Sequence, residues 1–208
     1  MIAQKMQEPT VGVQKAIHRV LAYLAGTTDR KLTVPRVVGT EWTFYVDSDH
    51  AGERKHGNTR SRTGIKLLCN GMQFHWRSSK QPETAMSSAA AEIVAMSECM
   101  KDVNLRMWIA EELGIKVKWP VEILVDNKAG VNFQNHMIPD SKLKGVFDMR
   151  LGWLKELHDR KKWLAVKVAS ASNLADDMTK PLAPTVRKTL NKELDRVKER
   201  VVGSFKGA

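Results

Sequence analysis

Thr43-Phe44-Tyr45-Val46-Asp47-Ser48-Asp49 is the stretch on which the reading of this chain turns. Its β-branched and aromatic residues, Thr43 to Val46, suit a central buried strand. The strand ends in acids, and a carboxylate in such a place is costly to desolvate unless something positive compensates it. Three further acids stand in similar settings. Glu92 lies early in a long helical pattern, Asp126 ends the apolar run Val121-Glu122-Ile123-Leu124-Val125, and Asp176 starts a late helix. The expectation is that these four converge to hold divalent metal.

Around that strand the elements alternate. Val13, Ile17, Val20, Leu21 and Leu24 repeat at helical spacing, with Gly26 as the stop. After the key strand comes a polar loop from Glu53 to Arg62. Ile65, Leu67 and Cys69 then alternate, Asn70-Gly71 is a two-residue turn, and Met72, Phe74 and Trp76 alternate on the return. Arg77 to Pro82 reads as a basic loop. Ser87-Ser88 offers a cap to a helix running to about Leu113, with Gly114 behind it. Ile93, Met96, Met100, Val103 and Met107 form its core stripe, and Glu92 borders it. A short helix is expected over 127–133, a loop carrying His136 over 134–147, and a helix from Asp148 to Arg160. Trp163 to Val168 reads as a third buried strand. Asn173 is placed to cap the helix of Asp176, and a basic amphipathic helix closes the chain. A β-meander followed by alternating strands and helices implies a mixed sheet with helices on its faces.

The chain has 208 residues, enough for one good core with appendages. Its net charge of +11 points to a polyanionic partner, nucleic acid first among them. No apolar run approaches the roughly 20 residues of a membrane span, so no membrane partner is expected. Cys69 and Cys99 both lie in apolar patterns and read as reduced thiols of an intracellular protein.

Phosphodiester cleavage by two metals needs cations about 3.5–4 Å apart, bridging the attacking water and the leaving oxygen. Hard cations such as Mg²⁺ take oxygen ligands. Carboxylates on two strand ends and on a helix facing the sheet would meet that need, with a fourth on a late helix to close the site. Taken singly, an Asp after an apolar strand is more often a turn or cap residue. The joint pattern is what points to metal.

The same residues carry a family resemblance. Asp47-Ser48-Asp49-His50-Ala51-Gly52, Arg60-Ser61-Arg62-Thr63-Gly64 and Trp76-Arg77-Ser78-Ser79-Lys80-Gln81-Pro82 resemble, in order and spacing, blocks of the ribonuclease H domain of copia-type retrotransposon Pol polyproteins. So do Ser87-Ser88-Ala89-Ala90-Ala91-Glu92, Asp126-Asn127 and Ala175-Asp176-Asp177-Met178-Thr179-Lys180-Pro181-Leu182. The resemblance implies an α/β fold, a ribonuclease H-like mixed β-sheet flanked by α-helices, over residues 41–182. Residues 1–40 resemble the end of a reverse transcriptase, and 183–208 form the basic tail helix.

By that resemblance Asp47, Glu92, Asp126 and Asp176 are the catalytic, metal-binding set, taking two Mg²⁺ ions with Mn²⁺ as a substitute. The implied activity is hydrolysis of the RNA strand of RNA–DNA hybrids during reverse transcription, in the cytoplasm within a virus-like particle or in the nucleus. Arg60, Arg62, Arg77, Lys80 and Asn127 would hold the nucleic acid, and the rest of a Pol polyprotein is the other implied partner. The chain departs from the family at Gly145-Val146-Phe147-Asp148 and at Gly152, where histidines are usual. His136 is the one candidate replacement. Two alternatives therefore stand beside the nuclease: a decayed or host-retained module that binds hybrids without turnover, and an integrase- or transposase-type DNA-processing core.

Overall fold

The computed structural model describes residues 2, 6–31, 34, 39–52, 59–128, 131–132 and 146–206, with backbone alone at 146–148 and 204–206. Two compact units emerge, Met1–Val34 and Pro35–Ala208. The first contains helix α1 (Val11–Ala25), whose first turn is capped by Thr10: its hydroxyl accepts from the Val13 N–H at 3.3 Å.

The second unit is built on five strands: β1 (Trp42–Asp49), β2 (Arg62–Cys69), β3 (Met72–Lys80), β4 (Val121–Val125) and β5 (Trp163–Lys167). Their order across the sheet is β3-β2-β1-β4-β5. β1, β2 and β3 are antiparallel neighbours, whereas β4 lies parallel to β1 and β5 parallel to β4. The hairpin turns at Asn70-Gly71, both with positive φ (51° and 73°), which is the conformation a tight twisted hairpin needs and which Asn-Gly supplies. The mixed sheet expected from the sequence is therefore present.

Helices cover both faces. α2 (Ser88–Glu112) and α3 (Val146–Asp159) pack on one side, where Phe44, Val46, Ile65 and Leu67 of the sheet meet Met96, Met100, Val103 and Met107 of α2 and Leu151 and Leu154 of α3. On the other side Tyr45, Leu68 and Leu124 meet Leu174 and Ala175, just before the four-residue helix α4 (Asp176–Thr179). Leu190, Val197 and Val201 of α5 (Pro184–Lys206) complete that layer. α5 is thus basic and exposed along one face and apolar along the other, as its periodicity requires.

Three expectations are corrected. Arg77 to Lys80 is strand rather than loop: Arg77 pairs with Ile65, Ser78 with Gly64, Ser79 with Thr63 and Lys80 with Arg62. The ladder continues because β2 starts early enough to receive it, which a charged segment does not reveal by alternation. β5 is fully buried on one face, with Trp163 and Ala165 inside, and only partly covered on the other, where Val166 is half-buried and Leu164 exposed, because it is the edge strand. Asn173 is not the N-cap of α4, which is Ala175; it sits two residues earlier, fully buried, where its oxygen accepts from the Ala175 N–H at 3.1 Å and its amide donates to the Val46 carbonyl at 3.0 Å. His136 and the loop read over 134–145 lie outside the described residues, as does part of the short helix expected over 127–133.

Candidate metal centre

Parallel pairing of β1 with β4 sets Phe44 opposite Ile123 and Tyr45 opposite Leu124. Continuing that register by two residues brings Asp47 beside Asp126. This junction is also where the chain changes direction across the sheet, from a meander on one side of β1 to a parallel crossover on the other. In open α/β sheets, crevices for ligands form at the carboxyl ends of strands at such switch points.

α2 supplies the third acid. Ser87 accepts from the Ala90 N–H at 3.1 Å and starts the helix, so Glu92 falls in its second turn, buried against the strand ends. Oxygen atoms of Asp47, Glu92 and Asp126 all lie within 4.8 Å of one another. Asp47 and Glu92 are buried at 4% and 6% exposure, and Asp126 is half-buried.

Such crowding has an electrostatic cost. Burial pushes the Asp47 carboxyl up to about 6, with the charges of Asp126 and Asp176 adding to it and the Thr179 hydrogen bond opposing it. Burial, and then the Asp47 charge, pushes Glu92 up to about 8, while Ser48 and Asn127 beside it pull the other way. A site of carboxylate oxygens that resist losing their protons is one that gains from a hard divalent cation. The donor set suits Mg²⁺ or Mn²⁺ and offers no soft ligand.

Asp176, the fourth predicted ligand, stands outside this group of three. It is buried at the head of α4, and its carboxylate pairs with Lys180 Nζ at 2.5 Å. Its charge nevertheless reaches Asp47. Burial works against the Lys180 ammonium, yet Asp176, with Asp47 and Asp126 behind it, holds the Lys180 pKa above its ordinary value. Asp177, next in line, bonds Lys66 Nζ on β2 at 2.7 Å.

The predicted backbone-holding residues divide. Arg60 is exposed and Arg62 and Lys80 are half-buried along the β2–β3 margin, with Arg62 near Ser78 at 3.4 Å. Arg77 turns to α2 instead, where its guanidinium meets Asp102 at 3.0 Å and Glu98 at 3.4 Å. Asn127 lies beside Glu92.

Three residues of the site were not assigned a part from the sequence: Gly64, Thr179 and Lys180. Thr179 donates to the Asp47 carboxylate, and only the three-dimensional packing of α4 brings the two together. The only linear signal was their presence inside the quoted blocks.

No family model matches the chain. Over 198 residues it is 27% identical to the retrovirus-related Pol polyprotein from transposon TNT 1-94 of Nicotiana tabacum, a match covering 93% of this chain and 14% of that polyprotein. The secreted RxLR effector protein 161 of Plasmopara viticola is 32% identical over 102 residues, 49% of this chain and 70% of that protein. Among solved structures, LC11-RNase H1 in complex with an RNA/DNA hybrid aligns with a TM-score of 0.50 at 16% identity, covering 74% of this chain and 99% of that one. That last likeness speaks for the fold alone. Sequence and fold agree: the homologues of this chain are retrovirus-related Pol polyproteins of plant transposons, of which it spans 14% and 13% of the length in two cases, and its mixed sheet with flanking helices is the ribonuclease H fold.

Proposed function

We propose that this chain is an endonuclease that hydrolyses the RNA strand of RNA–DNA hybrids, as one segment of a Pol polyprotein at work in reverse transcription. The observation that carries the reading is the convergence of Asp47, Glu92 and Asp126 at the β1–β4 switch point. The hybrid bound by the LC11 protein supports the choice of substrate.

Asp47, Glu92 and Asp126 would hold the divalent cations, with Asp176 as the fourth carboxylate. Bound Mg²⁺ or Mn²⁺ supplies charge stabilisation at the attacking and leaving oxygens of the phosphodiester. The chain's own residues do the rest. Rigid strand ends and a helix turn keep the acids from spreading apart. Asn127, two residues past the end of β4, lies beside Glu92, and Arg60, Arg62 and Lys80 set a positive margin for the nucleic-acid backbone. Contacts of that kind give affinity and salt dependence rather than sequence choice. Ribose 2′-hydroxyls would distinguish the RNA strand. No helix among the described residues is long and apolar enough to cross a membrane. A reducing intracellular setting, in cytoplasm or nucleus, belongs to the same proposal.

The test is a cleavage assay with Mg²⁺ on end-labelled hybrid, single-stranded RNA and duplex DNA. Cutting confined to the RNA of the hybrid supports the nuclease. Hybrid binding without cutting in Mg²⁺ or Mn²⁺ overturns it in favour of a binding module, and cutting of duplex DNA in favour of an integrase-type core.

A further inference from the structure

α4 has four residues, too few to be stable as an isolated helix. Its place is set by anchors to each of the three antiparallel strands. On β1, the Asn173 amide donates to the Val46 carbonyl at 3.0 Å while its own oxygen accepts from the Ala175 N–H at 3.1 Å. On β2, Lys66 pairs with Asp177 at 2.7 Å. On β3, the Ser78 hydroxyl donates to the Met178 carbonyl at 2.5 Å. Beneath the helix Gly64 leaves room: a Cβ there would come within 2.8 Å of the Ala175 carbonyl and of Met178 Cβ, and 2.7 Å from the Thr179 methyl.

All of this places one hydroxyl. Thr179 is buried at 5% exposure, and its Oγ1 donates to Asp47 Oδ2. The backbone carbonyl of Asp176, 3.1 Å from the same oxygen, is the alternative acceptor for that one hydrogen. A hydroxyl donating to a carboxylate is a strong, directional contact, and it fixes one of the two Asp47 oxygens. Such outer partners orient the groups that hold a metal.

We propose that Thr179 is a positioning residue: through its hydroxyl, the clamped α4 sets the orientation of the Asp47 carboxylate and with it the affinity of the acidic crevice for a divalent cation. This rests on the nuclease reading of the crevice. Thr179 touches neither substrate nor cation and acts through Asp47.

The test is calorimetric titration of the whole chain with Mn²⁺ alone, with thermal unfolding as the control for folding. Thr179→Val replaces the hydroxyl with a methyl of similar volume and should weaken Mn²⁺ binding by about 10-fold, the lower end of the effect of losing an outer partner. Thr179→Ser keeps the hydroxyl and drops the methyl over Gly64, and should bind within about twofold of the parent. Hybrid affinity measured in EDTA should not change in either. Should Thr179→Val fail to fold, Thr179→Ala takes its place. Equal Mn²⁺ affinity in parent and Thr179→Val overturns the inference, as does Thr179→Ser binding as weakly as Thr179→Val. A parent that binds no Mn²⁺ removes the nuclease reading itself, a result distinct from the other two.

Discussion

Asp47 lies directly across the β1–β2 ladder from Gly64, and the bare α-carbon of the glycine is what admits α4 to the acid. Gly64→Ala would place a methyl against backbone and side chain of that helix, so α4 must lift. Overpacking of this kind costs about 1–3 kcal/mol. Urea denaturation should show that loss, and Mn²⁺ affinity should fall with it. A variant as stable as the parent would show that α4 yields freely.

Removing a carboxylate from the crevice should separate binding from cutting. Asp126→Asn keeps shape and hydrogen bonding but loses a charge. Hybrid cleavage in Mg²⁺ should drop by more than about 10²-fold, beyond what an outer-partner change costs. Hybrid affinity by filter binding should hold within a few-fold.

The acids also predict how stability depends on pH. Asp47 and Glu92 titrate near 6 and 8 in the folded, metal-free protein, against ordinary values of 3.8 and 4.5. Between those limits the folded state keeps protons that the unfolded state has released. The contribution to stability is therefore full below about pH 4 and is lost as pH rises through 6 and then 8. Thermal melts in EDTA should show Glu92→Gln gaining on the parent above pH 8, by on the order of a few kcal/mol. Mg²⁺ should stabilise the parent increasingly over the same range, since cation and proton compete for the same oxygens. A flat difference between Glu92→Gln and parent from pH 5 to 9 would contradict the crowding of the crevice.

Lys66 and Asp177 form an ion pair with side chains 9% and 23% exposed. Breaking it from one side leaves a charge with no partner in a place water scarcely reaches. Lys66→Met alone should cost about 3 kcal/mol, whereas Lys66→Met with Asp177→Leu should regain most of it. Chemical denaturation of the two single variants and the double closes the cycle. Additive losses would mean the pair is not coupled.

Basic residues should sort into two kinds. Neutralising Arg60 or Lys80 should weaken hybrid binding evenly across sequences and lower the slope of log K against log salt by about 1 for each. Arg77→Gln should act on stability instead, because its guanidinium serves Glu98 and Asp102 of α2. Salt titrations and unfolding curves on the same variants tell the kinds apart.

The hairpin, the long helix and the three apolar strands were legible along the chain, since alternation, turn residues and caps act over a few neighbouring positions. Asn70-Gly71, Ser87 and the Val121–Val125 run each announced an element correctly. Asn173 was half legible for the same reason: the local rule finds its bond to the Ala175 N–H but not the one its amide makes to Val46, 127 residues away in the chain. Asp176 could be singled out from its setting, but not its ion pair with Lys180, nor that it stands outside the group formed by Asp47, Glu92 and Asp126.

What the sequence determined by itself is the inventory: which segments become strands and helices, which acids end them, and an excess of positive charge suited to a polyanion. Only tertiary structure decided which acids share a crevice, that Arg77 serves α2, and that Thr179 reaches Asp47. Those relations come from strand order, register and the seating of a four-residue helix. They arise when distant segments pack, and no interaction between neighbours along the chain encodes them.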